Sequence, residues 1–303
     1  MEKIYEKFNK NGFVVLENLF NKKEFIPVLN DINYLVDNLN EELIKIGKLN
    51  KLYKDEDILK KLIFIERECP GASAWLHTRG RITKEIAKLW CNDKLLDVVQ
   101  QLLGPDISGN PIWNIRCKVP NNNLATVPWH QDTAYLNEGA EKTLQIAAWI
   151  PLVDVNENNG TLQLVSKYKD KVLNHNLEKE KGDSKSWYLY IDDNDFNNES
   201  IYTCNFKVGT IILFNQIIPH RSLENHSDHT RWSLDLRWQR PGEYSGVDST
   251  SCVPMRINGR NQNFNDWIDS IDRKEFETTD YENTKKEDGM YPNPIGPWIE
   301  RWQ

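Results

Sequence analysis

Cysteine is scarce in this chain of 303 residues, and methionine is scarcer still, with five and three residues respectively. The cysteines are odd in number and widely spaced, and none belongs to a C-x-x-C pair. The sequence therefore indicates neither a disulfide framework nor a thiolate zinc site. We interpret all five as reduced thiols: Cys69, Cys91, Cys117, Cys204 and Cys252.

Long apolar runs and clusters of basic residues are also missing. No stretch approaches the roughly 20 apolar residues that a membrane-spanning helix needs, and the first residues contain no apolar signal-peptide core. The net charge is −7, and no Lys/Arg-rich block offers a grip on a phosphate backbone. We expect a cytoplasmic protein that acts on a small molecule, without a nucleic acid or a membrane as partner. The oligomeric state stays open.

Two helical patterns occupy the first third of the chain. Apolar residues recur at spacings of three and four over 22–49, and again over about 82–103, where Gly104-Pro105 ends the pattern. From Ile112 onward, short runs rich in Val, Ile, Trp and Thr alternate with Asn-rich turns. These runs predict strands at 112–118, 126–132, 143–150, 161–165, 201–206, 210–214 and 231–239.

This order of elements predicts an α+β fold with a mainly β core, built as a sandwich or barrel. We expect a single catalytic domain over 1–303, with a helical region at 1–104 and a β core at 105–240. A polar insertion interrupts the core at about 173–200, and the segment 241–303 shows no period. We expect the insertion and the Trp-rich tail to close over a pocket.

The sharpest motif is Trp129-His130-Gln131-Asp132, in a segment predicted to be extended. Side chains two residues apart on a strand share a face, so His130 and Asp132 can aim at one point. An imidazole and a carboxylate that converge in this way begin the facial triad of non-haem Fe(II) sites, which needs one more histidine.

The strongest candidate for the third ligand is His220. It follows the apolar run at 209–214, and Pro219 favours an extended residue before it. The other histidines of the segment after 170 lie in polar or turn-like surroundings that suit exposed imidazoles: His175, His226 and His229.

Eleven residues beyond His220, Arg231 opens a strand with one polar face, made of Arg231, Ser233, Asp235 and Arg237. A hairpin that turns at 225–229 would bring the guanidinium of Arg231 back beside His220. There its planar fork of donors suits a carboxylate. For Asp235 and Arg237, a solvated outer face is an equally good interpretation.

Taken together, these motifs resemble the phytanoyl-CoA dioxygenase family of Fe(II)- and 2-oxoglutarate-dependent oxygenases over about 104–240. The motifs are Gly104-Pro105-Asp106, Trp129-His130-Gln131-Asp132, Asn158-Asn159-Gly160-Thr161-Leu162, and His220-x-Ser222 followed by Arg231. The resemblance implies a double-stranded β-helix, a cupin-like jelly roll with N-terminal helices packed outside. It also implies that Fe(II) is bound by His130, Asp132 and His220, and that 2-oxoglutarate is contacted by Arg231 at its distal carboxylate and by Lys118, Trp149 and Ser222.

The activity that the resemblance implies consumes 2-oxoglutarate and O2, releases succinate and CO2, and hydroxylates a C–H bond of a small soluble metabolite. One departure is Ser166-Lys167-Tyr168-Lys169, where the family commonly carries a Pro-Gly-Ser/Thr-His turn, so contacts near that turn are in doubt. Halogenating relatives replace the carboxylate ligand with a small residue, and Asp132 argues against that chemistry.

Candidate substrate contacts include residues of Trp75-x-His77-x-Arg79-x-Arg81, which as a strand would present four polar or aromatic side chains on one face. The candidates are Trp75, His77, Arg79, Arg116, Gln131, Tyr135 and Trp238. Two alternatives remain open: a zinc-dependent hydrolase or cupin-like isomerase, because the same ligands serve zinc, and a non-catalytic binding protein on the same fold. A zinc site has no standing need for Arg231.

Overall fold

The computed structural model describes residues 3–77, 82–122, 125–168, 171–177, 188–195, 200–247, 252–265 and 268. Helices dominate the first third of the chain. They are α1 (Ile4–Asn11), α2 (Ile26–Lys45), α3 (Ile58–Glu68), α4 (Lys84–Trp90) and α5 (Asp93–Leu103). Within these described residues, no helix combines the length and the apolar character that crossing a bilayer would require.

Helix α2 carries the apolar stripe that the sequence predicts over 22–49. A 3₁₀ turn, Lys22–Phe25, leads into the helix, and Pro27 fits the first helical turn, where no backbone N–H is needed. The residues at spacings of three and four are buried: Val28, Ile32, Leu35, Val36, Leu39 and Leu43. The prediction of a helix here is confirmed.

The helix predicted over 82–103 is two helices. Asn92 separates α4 from α5, because its side-chain oxygen accepts a hydrogen bond from the backbone N–H of Lys94 at 2.9 Å and so caps α5. Helix α3 has no counterpart among the predicted patterns. Its buried face includes Lys61, whose ammonium lies 2.6 Å from Asp37 of α2, and this charged residue interrupts the apolar period.

The described part of the chain contains thirteen strands, and all of their pairings are antiparallel. They are β1 (Phe13–Leu16), β2 (Ile107–Gly109), β3 (Asn114–Lys118), β4 (Ile146–Pro151), β5 (Leu162–Val165), β6 (Asn176–Leu177), β7 (Leu189–Tyr190), β8 (Ile201–Thr203), β9 (Ile211–Asn215), β10 (His220–Ser222), β11 (Arg231–Gln239), β12 (Val253–Ile257) and β13 (Arg260–Asn261). The larger sheet has the order β1-β9-β4-β11-β2-β12-β13, and β3 also pairs with β11. The smaller sheet has the order β10-β5-β8.

The larger sheet is covered on both faces, and its strands alternate between two cores. On β4, Ile146, Ala148 and Ile150 belong to the core shared with the helices, whereas Ala147 and Trp149 belong to the core between the two sheets. A strand buried on both faces reads as a continuous apolar run. The architecture is the expected jelly roll, with helices packed outside one sheet and a second sheet facing the other side.

Two predicted local structures are wrong. The segment 126–132 forms no strand: His130 makes an isolated bridge to His220, and a 3₁₀ helix, Asp132–Tyr135, begins immediately afterwards. The segment 225–229 does not close a hairpin either, because β10 lies in the smaller sheet and β11 in the larger one. The turn therefore carries the chain from one layer to the other.

The C-terminal segment, predicted to lack regular structure, contains β12 and β13. Strand β12 extends the larger sheet by pairing with β2, and Arg256 fixes it to α5 through Asp97 at 2.6 Å. These strands contain too few apolar residues to show a period in the sequence, so they were not predicted. The tail beyond 268 lies outside the described residues.

Candidate active site

A cavity lies between the two sheets, and both contribute side chains to its wall. From here on it is called the inter-sheet cavity. It is lined by Arg116, Cys117, Lys118, Ala125, Val127, His130, Asp132, Trp149, Leu162, Tyr188, Phe214, His220, Ser222, Arg231, Asp235 and Arg237.

Three of these residues form a cluster of potential metal ligands. Asp132 Oδ1 lies 3.8 Å from His130 Nε2 and 3.7 Å from His220 Nε2, and the three ligand atoms lie within 4.8 Å of one another. His130 and His220 are also joined by two backbone hydrogen bonds of 3.0 and 2.9 Å. Gln131 between the ligands is extended, which keeps Asp132 on the side of His130 although no strand continues there.

Both imidazoles are held with Nε2 facing the cluster. Nδ1 of His130 lies 2.8 Å from the carbonyl oxygen of Pro128, and Nδ1 of His220 lies 2.9 Å from that of Ile218. Only a protonated Nδ1 can donate to a carbonyl, so Nε2 keeps its lone pair. Burial lowers the pKa of each histidine below its ordinary value, so both are neutral at pH 7 and suited to bind a cation.

The two carboxylate oxygens of Asp132 face different partners. Oδ2 accepts hydrogen bonds from Arg237 Nη2 at 2.7 Å and from Arg237 Nε at 3.2 Å, while Oδ1 faces the histidines. Burial alone would raise the pKa of Asp132, but the interactions of this carboxylate, first of all with the charge of Arg237, hold that pKa below its ordinary value. Asp132 therefore stays ionised and is available to a metal through one oxygen.

Arg231 is 3% exposed and lies in the same cavity. Its Nη1 donates to Ser233 Oγ at 2.5 Å, and its guanidinium lies 5.7 Å from the centre of the Trp149 ring. Its Nε is buried without a hydrogen-bond partner in the described structure. Burial lowers the pKa of Arg231 to about 10, so the side chain remains a cation at pH 7.

The remaining predicted cosubstrate contacts surround Arg231. Lys118 lies opposite Arg231 across β3 and β11, and its ammonium donates to Ser222 Oγ at 2.7 Å and to the carbonyl of Leu223. Burial, followed by the charge of Arg231, lowers the pKa of Lys118 well below its ordinary value. Trp149 Nε1 donates to Ser233 Oγ at 3.0 Å, so Ser233 connects Trp149 with Arg231.

Two predicted substrate contacts lie near the metal cluster. Arg116 Nε donates to Asp235 Oδ2 at 2.7 Å, and both side chains line the cavity. The ring of Tyr135 stands edge-on to that of His130, with 5.5 Å between the ring centres, while its hydroxyl accepts a hydrogen bond from Leu189 N at 2.8 Å.

Two other predicted contacts are corrected by the structure. Gln131 is fully buried, and its side chain holds two loops together by donating to Ile217 O at 2.6 Å and accepting from Leu173 N at 2.7 Å. Trp238 is fully buried in the core under the helices, because it lies on the apolar face of β11, opposite to Arg237. Neither residue lines the inter-sheet cavity.

The three candidates near residue 75 stay predictions of substrate contacts. Residues Ala72–His77 form a 3₁₀ helix, so the predicted strand that begins at Trp75 is wrong. The side chains of Trp75 and His77, and the whole of Arg79, lie outside the described residues.

Sequence reasoning underrated two residues of the site. Arg237 and Asp235 share the polar face of β11 with Arg231, but the pattern alone does not tell which face of a sheet meets solvent. The sequence signal for burial of the polar face is the large apolar face opposite to it, which marks a central strand. Trp232, Leu234 and Leu236 on that face are fully buried. A third residue, Tyr188, enters the cavity from the insertion without any preceding motif.

The donor set fits an iron centre with a bound dicarboxylate. Two imidazole nitrogens and one carboxylate oxygen form the facial arrangement that leaves further positions open on non-haem Fe(II). A buried cation with an unpaired N–H, in the same cavity, suits a ligand carboxylate.

Comparison with known proteins agrees with this geometry. The model of the family described as Phytanoyl-CoA dioxygenase (PhyH) matches residues 8–233, which include all three potential ligands and Arg231. A search of the curated proteins found no match to this chain.

Several solved structures share the fold. The apo form of ThoJ, a non-heme monooxygenase, has a TM-score of 0.61 at 18% identity, covering 89% of this chain and 93% of its own. EvdO2 from Micromonospora carbonacea var. aurantiaca, complexed with 2-oxoglutarate, has a TM-score of 0.51 at 15% identity, covering 86% and 93%. SnoK, a non-heme alpha ketoglutarate dependent carbocyclase from nogalamycin biosynthesis, has a TM-score of 0.52 at 15% identity, covering 84% and 96%.

Proposed function

Because this chain belongs to the phytanoyl-CoA dioxygenase family, and is a non-haem iron oxygenase that uses 2-oxoglutarate and O2, we propose that it hydroxylates a C–H bond of a small soluble molecule. Succinate and CO2 are the products of the cosubstrate. The iron ligands in this proposal are His130, Asp132 and His220. Arg231 binds the distal carboxylate of 2-oxoglutarate, with Lys118, Ser222 and Trp149 around it.

One observation carries the proposal: a metal-ligand cluster and an arginine with an unpaired N–H share the inter-sheet cavity. A hydrolytic zinc site needs the cluster but gives no reason to bury Arg231 without a carboxylate partner. A buried cation is costly unless it is paired, so its retention favours a ligand that brings a negative charge.

The chain supplies orientation and charge, while the bound iron, 2-oxoglutarate and O2 supply the oxidising chemistry. Arg237 holds one oxygen of Asp132 and leaves the other for the metal. The carbonyl groups of Pro128 and Ile218 fix the rings of His130 and His220. His130, Asp132 and His220 would hold the iron and would leave further coordination positions for the cosubstrate and O2.

The walls of the cavity limit access of water to the reacting atoms. Leu162 and Phe214 belong to the core between the sheets, and Trp149 extends it toward Arg231. Tyr188, which is 4% exposed, adds an aromatic ring from the insertion. Exclusion of water protects a reactive oxidant from side reactions and strengthens the charge interactions in the cavity.

The test is succinate formation from 2-oxoglutarate in air by protein loaded with Fe(II). We expect succinate to appear with Fe(II), to be absent with Zn(II), and to be lost in His220→Ala. Arg240→Gln serves as the control, because it removes a charge from an exposed position just beyond β11. Succinate formation that persists in His220→Ala would refute the assignment of the ligands.

A further inference from the structure

We propose that Arg116 recognises a carboxylate of the molecule that is oxidised, so that the substrate class is a small carboxylic acid. This inference rests on the proposed function, since it concerns the substrate held in the same cavity.

Arg116 lines the same cavity as Arg231 and the three metal ligands. In the pairing of β3 with β11, Arg116 lies opposite Ser233. Lys118, two residues further along β3, lies opposite Arg231. Because His130, Asp132 and His220 line this cavity as well, a ligand that binds Arg116 shares the cavity with the metal cluster.

The guanidinium of Arg116 has donors to spare. Its Nε donates to Asp235 Oδ2 at 2.7 Å, and its Nη1 and Nη2 make no hydrogen bond within the described part of the chain. The side chain of Arg116 is 22% exposed and that of Asp235 is 15% exposed, and both line the cavity. Asp235 thus fixes the guanidinium while its two terminal N–H groups stay available. This end-on pair matches the two oxygens of a carboxylate.

Charge balance in the cavity favours a substrate anion. The charged side chains of its wall are four basic residues, Arg116, Lys118, Arg231 and Arg237, and two acidic ones, Asp132 and Asp235. The charges of Fe(II) and of the 2-oxoglutarate dianion cancel one another, so the excess of two positive charges remains after both have bound. Burial favours the neutral form of Lys118, yet even then one positive charge is left.

The cosubstrate does not account for Arg116. In the proposed site, one carboxylate of 2-oxoglutarate faces the metal and the other faces Arg231, whose Nε is a buried donor without a partner in the described structure. Arg116 lies opposite Ser233, not opposite Arg231, and is already oriented by Asp235. A third carboxylate, belonging to the substrate, is the ligand that its free N–H groups fit.

Binding measurements on Zn(II)-loaded protein saturated with 2-oxoglutarate test this inference, because Zn(II) permits no turnover. The probes are phenylacetate, 3-phenylpropanoate and 4-phenylbutanoate, each compared with its primary amide; their rings suit the aromatic wall at Tyr188 and Trp149. We expect at least one acid to bind about tenfold more tightly than its amide, equivalent to about 1.4 kcal/mol. Arg116→Met should abolish this preference and leave 2-oxoglutarate affinity within about threefold of the wild type.

Two further variants separate recognition from structure. Arg240→Gln removes an exposed charge and should keep the preference for acids. Arg116→Met/Asp235→Leu removes both charges of the ion pair, so it avoids an unpaired buried carboxylate that could unfold the single variant. This double variant should also lack the preference.

Equal binding of acids and amides by the wild type, or a preference that survives without Arg116, would overturn the inference. Either result, obtained with normal binding of 2-oxoglutarate, would leave the proposed function intact. Loss of 2-oxoglutarate binding in Arg116→Met would instead assign Arg116 to the cosubstrate and would also overturn the inference.

Discussion

Asp132 shows how a single side chain can serve two partners in this site. One oxygen accepts two hydrogen bonds from Arg237, and the other faces His130 and His220. Groups that hold a metal ligand from behind typically influence metal affinity about 10- to 100-fold. Arg237 is therefore a positioning residue for the proposed metal site.

We expect Arg237→Met to weaken Fe(II) binding about tenfold or more, because Asp132 loses the bonds that orient it. Arg237→Lys should recover only part of the affinity, since an ammonium cannot reproduce a fork of donors. An anaerobic competition with a chromogenic chelator measures this affinity directly. Unchanged Fe(II) affinity in Arg237→Met would show that Asp132 needs no support from Arg237.

Arg231 is a buried cation whose Nε has no hydrogen-bond partner in the described structure. Removing one partner of a desolvated, charge-assisted pair costs on the order of 2–5 kcal/mol, or roughly 30-fold or more in affinity. We therefore expect Arg231→Ala to raise the KM for 2-oxoglutarate in succinate formation by at least that factor, with Fe(II) binding retained. Arg231→Lys should restore part of the loss. An Ala variant with an unaltered KM would contradict the anchoring role.

Among single residues, those with distinctive chemistry and spacing could be predicted from the sequence. His130, Asp132, His220 and Arg231 are all brought into one cavity. Trp238 and Gln131 were misplaced because an aromatic or amide side chain serves a core as well as a pocket, and composition cannot distinguish these environments. Arg116 and Arg237 differ from surface arginines only because the second sheet faces them across the cavity, and a local sequence pattern does not contain that information.

The turn that precedes β5 supports the cosubstrate side of the site. Gly160 has a φ of +80°, and an added Cβ would lie 2.6 Å from Lys118 Cδ and 2.7 Å from the carbonyl oxygen of Leu223. Gly47 has a similar φ of +73°, but no atom lies within 4 Å of its added Cβ. An alanine at Gly47 would therefore meet only backbone strain, whereas an alanine at Gly160 would meet both backbone strain and steric crowding.

We expect Gly47→Ala to cost about 1–2 kcal/mol of the free energy of unfolding, the strain of a left-handed residue. Gly160→Ala should cost about 1–3 kcal/mol more, because Leu223 or Lys118 must move, and should also raise the KM for 2-oxoglutarate. Urea denaturation and steady-state kinetics measure the two effects. Equal losses of stability in both variants would show that the turn can expand without strain.

The described ends of the insertion pack directly beside the metal cluster. The backbone N–H of Ile191 donates to Trp129 O at 2.7 Å, and that of Leu189 donates to the Tyr135 hydroxyl at 2.8 Å. Gln131 holds the earlier part of the insertion through Leu173. The expected lid over 173–200 lies partly outside the described residues, but these anchors connect its two ends to the site.

We expect the amides of Leu189 and Ile191 to exchange hydrogen more slowly when metal and 2-oxoglutarate are bound, because their partners flank the ligand His130. Helix α2, which packs in the other core, provides the internal control. Hydrogen exchange followed by mass spectrometry measures both segments. Equal protection at 188–191 with and without ligands would count against closure of this segment over the cavity.

For helices and strands, the spacing of apolar residues predicted the elements that bury one apolar face. The helix over 22–49 and most of the strands of the core belong to this group. It failed where a polar residue takes a core position, as Lys61 does in α3, and where a single bridge replaces a strand, as at His130. Such structures depend on contacts between distant segments, which a local pattern does not contain.

Strand β11 lies in the middle of the larger sheet, and its two faces contact different parts of the molecule. Its apolar face supports the helices through Trp232, Leu234 and Leu236, and its polar face supplies Arg231 and Arg237 to the cavity. The large core on one side gives the strand a fixed position. The residues that act on the metal and the cosubstrate therefore rest on a rigid element, as precise binding sites require.

The central claim is that the three ligands and Arg231 form one binding site for a metal and 2-oxoglutarate. Anaerobic calorimetric titration of 2-oxoglutarate into Fe(II)-loaded and metal-free protein tests it most directly, with His220→Ala measured alongside. We expect one molecule to bind per chain in the Fe(II)-loaded wild type, and binding at least about tenfold weaker without metal or without His220. Equal affinity in all three samples would contradict the claim, because the cosubstrate would then not contact the metal.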